Sequence, residues 1–329
     1  MTNFHDTDIS NSSFLVTGGA GFIGGHIAEY LLQNGAKKVR VLDNMVNGFE
    51  KNLAILRQYP AFEWMEGDIR HADTCQQACA GIDYVSHQAA LGSVPRSIKE
   101  PVYFNEVNVN GFVNMLKAAV DNKVRQFVYA SSSSVYGDEP TLPKQENRVG
   151  NCLSPYAATK KTNELYAQVF ADVYGIKLMG FRYFNIFGPR QDPDGPYAAV
   201  IPLFVKGIMQ RTPVYINGDG EQTRDFTFVD NAVQVNIKGM LTDNPGALKK
   251  VYNVAVGEYY SVNYLYNACR EYLGSDFAAT YREPRAGDIR NSLADISLAK
   301  NLLGYQPTKR FEDGLKETID FFRNVYGGQ

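Results

Sequence analysis

The chain has 329 residues, 44% hydrophobic and 21% charged, which suffices for a large core and lies far from disordered or fibrous compositions. A formal net charge of −2 excludes a broadly basic surface for nucleic acid or an anionic membrane, so any phosphate must be met by a few placed groups. The apolar runs are too short to span a bilayer, the polar opening stretch has no secretory pattern, and of the four cysteines Cys75 and Cys79 lack a second ligand pair for zinc; a cytoplasmic protein with buried thiols and no metal is expected.

Short apolar runs ending in Gly or Asp alternate with longer amphipathic stretches through the first half, the pattern of a parallel sheet wrapped by crossover helices. Strands are predicted over residues 14–17, 39–42, 62–66, 84–87, 127–130 and 178–182, with helices over 22–34, 101–122 and 155–174. Residues 1–183 therefore read as a Rossmann-type, doubly wound α/β domain. Beyond it, Gly, Pro and Asp clusters broken by short elements mark a smaller α/β substrate domain over 184–329. A helix-then-strand pattern in that stretch predicts that the chain returns to the first sheet at about 229–256.

The first strand runs into Gly18-Gly19-Ala20-Gly21-Phe22-Ile23-Gly24, with glycines three apart at the turn into a helix. Such a loop lets backbone amides approach a pyrophosphate at the positive end of the helix, although a glycine turn also serves packing alone. Asp43 closes the second strand 19 positions after Gly24, where a carboxylate can bond the ribose hydroxyls of NAD and repel the extra phosphate of NADP. Asp68 ends the third strand within reach of an adenine, and Asn44 and Ile69 adjoin the two acids on the cofactor side.

After the fifth strand come Ser131 to Ser134, then Ser154-Pro155-Tyr156-Ala157-Ala158-Thr159-Lys160. Tyr156 and Lys160, four apart, share one helix face, so the ammonium can stabilise a phenolate. With 21 tyrosines about one such pair arises by chance, and Tyr305 with Lys309 supplies it, interrupted by Pro307. Ser154 suits an N-cap and Pro155 the first helical position, which puts Tyr156 at the mouth of a site. A tyrosine ordinarily titrates near ~10. Lys160 and a positively charged nicotinamide are expected to lower that value, while Ser132 holds the same substrate hydroxyl.

With these motifs in order, the chain resembles the extended short-chain dehydrogenase/reductases and, within them, the bacterial UDP-N-acetylglucosamine 4-epimerases, from Val16 to about Tyr305. Further signatures are His87-Gln88-Ala89-Ala90, Asn108-Val109-Asn110-Gly111 and Arg182-Tyr183-Phe184-Asn185. The resemblance implies NAD as cofactor, with Gln88, Ala89, Ala90, Asn108 and Tyr183 in its site, and Asn185 on the substrate diphosphate. It further implies that Arg224 grips that diphosphate, that Tyr215 stacks on uracil beside Asn217, and that Arg285 and Asp288 form a second nucleotide clamp on phosphate and ribose. Two guanidiniums on one diphosphate can each give paired hydrogen bonds. Ser93, Val94, Ser133, Ala199, Val200 and Ser292 complete the implied substrate set, and a homodimer through the helices at 101–122 and 155–174 is implied as well.

Dehydratases of the family follow the catalytic hydroxyl with an Asp-Glu pair, and decarboxylating members carry a Glu there; Ser132-Ser133-Ser134-Val135-Tyr136-Gly137 has no carboxylate. Epimerisation needs none. The stretches Tyr197 to Pro202 and Asn291 to Asp295, and Gly92 where galactose epimerases have lysine, resemble the N-acetylhexosamine branch; small residues there leave space beside the sugar. UDP-glucuronate and UDP-glucose are the rival substrates. An NAD-binding regulatory protein on the same fold is the alternative of another class, and it would be expected to have lost Ser132, Tyr156 or Lys160.

Overall fold

In the computed structural model, residues 3–194, 199–284 and 290–326 are described. Six strands come from the first half: β1 (Ser13–Thr17), β2 (Lys38–Asp43), β3 (Phe62–Glu66), β4 (Tyr84–His87), β5 (Gln126–Ser132) and β6 (Leu178–Tyr183). Later strands are β7 (Ile186–Phe187), β8 (Tyr215–Asn217), β9 (Thr223–Arg224), β10 (Thr227–Phe228), β11 (Lys250–Val254), β12 (Tyr260–Ser261) and β13 (Thr280–Arg282). Seven of these form a parallel sheet in the order β11-β6-β5-β4-β1-β2-β3.

Alternate residues of these strands point to two different cores. Phe14, Val16 and Val128 join one cluster, with Ile27 and Leu31 of α1 (Phe22–Gln33) and residues of a late helix; Leu15, Phe127 and Tyr129 join the other. That second face is covered by α3 (Ala72–Cys79), which follows α2 (Glu50–Leu56), and by α6 (Gly111–Asp121) and α7 (Pro155–Val173), supplying Cys75, Phe112 and Phe170. Both faces being covered, the strands carry near-continuous apolar runs, which is why the sequence shows them clearly. Strand order reverses between β1 and β4, and a crevice opens there beyond the strands' carboxyl ends.

The predicted helix at 101–122 is interrupted. A short helix α4 (Val94–Lys99) precedes α5 (Pro101–Asn105), and a π-helical turn, Glu106–Asn110, links α5 to α6. That turn carries Asn108 inward. Its Oδ1 accepts the Leu91 N–H at 2.8 Å while Nδ2 donates to the Leu91 carbonyl and to Thr159 Oγ1. A π-turn in this position aims a side chain that regular helical spacing would have misplaced.

The second lobe packs α8 (Val200–Gln210), α10 (Val262–Leu273) and α12 (Phe311–Tyr326) around Phe204, Leu265 and Phe311, with the two-stranded pairs β10–β7, β12–β9 and β13–β8 at its rim. From it the chain crosses back through α9 (Val229–Leu241), which supplies Val233 and Ile237 to the first core, into β11 at the edge of the main sheet, and α11 (Ser297–Leu303) adds Ala299 and Leu303 there.

Candidate active site

A cavity of about 870 Å³ occupies the crevice. Its floor is the turn after β1, where Gly18 has φ +70° and a Cβ would stand 2.7 Å from the Ala89 nitrogen. At Gly24 a Cβ would stand 2.3 Å from the Gly18 carbonyl, so neither position has room for a side chain. Among the described residues no side chain caps the N-terminus of α1, which leaves its first amides to meet an anion. Asp43 ends β2 with Oδ2 accepting the Ala20 N–H and Oδ1 that of Met45; burial raises its pKa against these amides. A glycine cradle, an uncapped helix and an acid at the next strand end fit a dinucleotide that lacks a 2′-phosphate.

The opposite wall is reactive. Ser154 caps α7 by accepting the Ala157 N–H at 3.1 Å, Pro155 takes the first helical position, and the Tyr156 N–H donates to Ser97 Oγ of α4. These contacts set the first turn. Lys160, one turn on and 3% exposed, donates to the Ala130 carbonyl at 2.9 Å, and burial lowers it to about 8. Burial also raises the Tyr156 phenol, with the Ser132 hydroxyl pulling the other way. The shift is thus opposite to the lowering anticipated from Lys160: desolvation of the phenolate is its largest cause, and Ser132 opposes it.

Beneath this wall Ser131 Oγ and Arg182 Nε both donate to Glu164 Oε1, and Arg182 Nη2 donates to Oε2 at 2.8 Å. One buried carboxylate thus ties α7 to β5 and β6. Across the cavity the Tyr183 hydroxyl donates to Gln88 Oε1 at 3.0 Å and accepts from Asn236 Nδ2 at 2.7 Å. Asn236 comes from α9 and also accepts from Ser86 and Gln88. Residue spacing gave no sign of it.

Of the expected cofactor residues, Gly18, Gly21, Phe22, Ile23, Gly24, Asp43, Asn44, Ile69, Gln88, Ala89, Ala90, Tyr156, Lys160 and Tyr183 line this one cavity. Asp68 and Asn108 do not. Asp68 accepts from Asn44 Nδ2 and from the backbone N–H, Nε and Nη2 of Arg70; burial would raise it, but these partners hold it at about 2. Asn108 is used up on Leu91 and Thr159, so its place is behind the wall. Ser132, Ser133, Val94 and Asn185 line the cavity too, whereas Ser93 caps α4 by accepting the Arg96 N–H.

Asn185, at φ +37°, also borders a second cavity of about 600 Å³, lined by Val200, Tyr215, Asn217 and Arg224. Ala199 and Ser292 line neither cavity; Ala199 is the exposed N-cap of α8, and Ser292 donates its N–H to the Thr223 carbonyl beside Arg224. Arg285 and Asp288, with Tyr197 and Ala198, lie outside the described residues. Leu91, Asp192 and Arg282 line the cavities without having been anticipated.

The model of the NAD-dependent epimerase/dehydratase family matches residues 14–255. UDP-glucose 4-epimerase of Mycolicibacterium smegmatis is 36% identical over 312 residues, 94% of this chain and 98% of the relative. The structure of UDP-N-acetylglucosamine 4-epimerase from Methanobrevibacter ruminantium in complex with UDP-N-acetylmuramic acid superposes with a TM-score of 0.90 at 38% identity, covering 95% of this chain and 99% of that one. UDP-glucose 4-epimerase from Thermotoga maritima with UDP-glucose gives 0.89 at 34% identity, with 95% and 99% covered.

Proposed function

The chain belongs to the NAD-dependent epimerase/dehydratase family, and from that premise we propose that it inverts C4 of a UDP-hexose, preferring the N-acetylated pair UDP-GlcNAc and UDP-GalNAc. The observation that carries this reading is the meeting of Ser132, Tyr156 and Lys160 with the Gly18 to Gly24 cradle in one cavity, with no carboxylate among residues 132–137 to drive elimination.

Bound NAD supplies a two-electron hydride acceptor that becomes the donor in the return step, so none is consumed. The Tyr156 phenolate takes the proton of the 4-hydroxyl and gives it back to the same oxygen after the sugar has turned over. Ser132 holds that oxygen during both transfers. Lys160, fixed by the Ala130 carbonyl one turn from Tyr156, would supply positive charge that favours the phenolate and would help hold the cofactor. Asn185 and Arg224 hold the diphosphate while the sugar swings.

Among the described residues lining the first cavity Lys160 is the one cation, and Asp192 adds a carboxylate. That balance favours a neutral sugar over glucuronate. The N-acetyl preference is supported by the likeness to the Methanobrevibacter enzyme. The test is incubation with UDP-GlcNAc, UDP-glucose and UDP-glucuronate in turn, with products read by proton NMR. Epimerisation of the acetylated sugar with the highest kcat/KM is expected, and activity on glucuronate alone would refute the preference.

The assembly we propose is a homodimer through the apolar stripe Leu165, Val169 and Val173 of α7, 60%, 53% and 68% exposed, with Ile98 and Val102 beside it. Light scattering should return twice the chain mass, and Val169→Lys should return the monomer.

A further inference from the structure

Arg282 stands at the rim of the second cavity, and nothing in its sequence surroundings marks it. The strand β13 pairs with β8 in parallel register, placing Arg282 opposite Asn217. Its carbonyl accepts the Gly218 N–H at 2.8 Å, and Gln222 Nε2 donates to the Asn217 carbonyl at 2.8 Å, so both backbones are held. The Arg282 guanidinium lies over the Tyr215 ring, 4.7 Å from its centroid, while Nε donates to Asn217 Oδ1 at 2.8 Å.

That last bond decides the orientation of an amide. A guanidinium has donors and no acceptor, so the oxygen of Asn217 must be the end that faces it. The Nδ2 end, with two N–H groups and no partner among the described residues, is left for a ligand in the cavity. A pyrimidine lying by Tyr215 therefore meets a donor.

We propose that Arg282 is a positioning residue for base selection: by holding Asn217 Oδ1 it presents the Asn217 amide donor to a ring carbonyl, and so selects uracil over cytosine. Uracil has an oxygen at C4, where cytosine has an amino group. A donor set against that amino group leaves both unpaired in a partly closed site. Without Arg282 the Asn217 amide is free to turn over and offer its oxygen instead, which suits cytosine equally well.

The inference rests on the UDP-sugar reading, and its test separates the two. UDP and CDP are titrated calorimetrically into the full-length protein, as wild type, Arg282→Ala and Asn217→Asp. Wild type should favour UDP by about tenfold, and Arg282→Ala should bring the ratio close to one. Asn217→Asp, which pairs with Arg282 and offers acceptors alone, should shift the ratio towards CDP. Because both ligands are measured on one preparation, the ratio does not respond to a change in the folded fraction. An equal loss of UDP and CDP in Arg282→Ala would place Arg282 on the diphosphate or in folding and overturn the proposal, as would a UDP preference that survives either substitution. UDP-hexose turnover is assayed beside it: a wild type that turns over UDP-hexoses without preferring UDP to CDP sinks the Arg282 role alone, and one that turns over none sinks the functional reading.

Discussion

The two cavities are framed differently. Around the first, Ser132 ends a seven-residue strand of a sheet covered on both faces, Tyr156 and Lys160 stand on the first turns of the 19-residue α7, and Ser132 and Lys160 are 9% and 3% exposed. The second is edged by strands of two or three residues, with Tyr215 at 46% exposure. Proton transfer requires fixed atoms whose affinity for protons is set by burial, whereas a nucleotide can be gripped by half-exposed side chains that settle onto it. The chemistry should thus be brittle and the recognition tolerant, and each substitution below tests one side of that contrast.

The largest effect is expected at Tyr156. Tyr156→Phe removes one oxygen from a buried wall whose shape is otherwise kept, so kcat should fall about 10³-fold while bound NAD survives purification. Assay of the heat-released cofactor gives the second half of that statement. Near-normal turnover with NAD retained would remove Tyr156 from acid–base chemistry.

Two ion pairs with the same 2.8 Å N–O distance offer a stability comparison. Arg182 and Glu164 have side chains 2% and 6% exposed, and Glu164→Gln should cost about 3–5 kcal/mol because the guanidinium is left buried without its counter-charge. Arg290, whose carbonyl accepts the Thr223 N–H of β9, and Asp219 are 60% and 55% exposed, and Asp219→Asn should leave the urea midpoint unchanged within error. Similar shifts for the two variants would mean that burial does not separate the regions.

Asp225 joins them. It is fully buried and accepts the N–H groups of Val256, Gly257 and Ala294, yet burial, helped by Glu258, pushes it up to about 7 against these amides. A carboxyl whose pKa is raised on folding binds protons more tightly when folded. Its contribution is complete below the unfolded value of 3.8 and is lost as pH rises through about 7. The stability gap between wild type and Asp225→Asn should therefore shrink from pH 4 to pH 8 by on the order of 3 kcal/mol. A gap that widens would show the three amides prevailing over burial.

What the sequence made legible follows the same division. The six early strands and the return through α9 to β11 appear as apolar runs because both sheet faces are covered, and the Gly18 loop with Tyr156 and Lys160 depends on local spacing. The π-turn that aims Asn108 is set by its fit to Leu91, and Asn236 reaches Gln88 across 148 residues. Arg282 owes its place to a three-residue strand that exists because β8 pairs with it. No period or motif announces such contacts. The direction of the Tyr156 shift escaped for a related reason: the ammonium is visible in the sequence, but the depth of burial is not.

The smallest effect expected concerns the sugar. Ser292 is half-buried, and its N–H bond to Thr223 places it beside Arg224, while Ala199 begins α8. Neither lines a cavity in the protein alone; if substrate brings them to the C2 substituent, as the likeness to N-acetylhexosamine epimerases implies, a serine and an alanine leave volume for an acetamido group. A plain hydroxyl fits the same space with less contact. Ser292→Tyr puts a ring there, and overpacking of this kind costs about 1–3 kcal/mol, roughly tenfold to a hundredfold when it falls on one substrate. The rim of the second lobe is half-exposed, so the ring can also swing towards solvent, which argues for the lower end of that range. The expected outcome is a kcat/KM for UDP-GlcNAc and UDP-GalNAc lowered about tenfold, with that for UDP-glucose kept or raised. Specificity constants for both sugar types in both proteins decide it. Equal loss on the two, with the fold intact by circular dichroism, would take Ser292 away from C2 and leave the acetylated preference without its physical support.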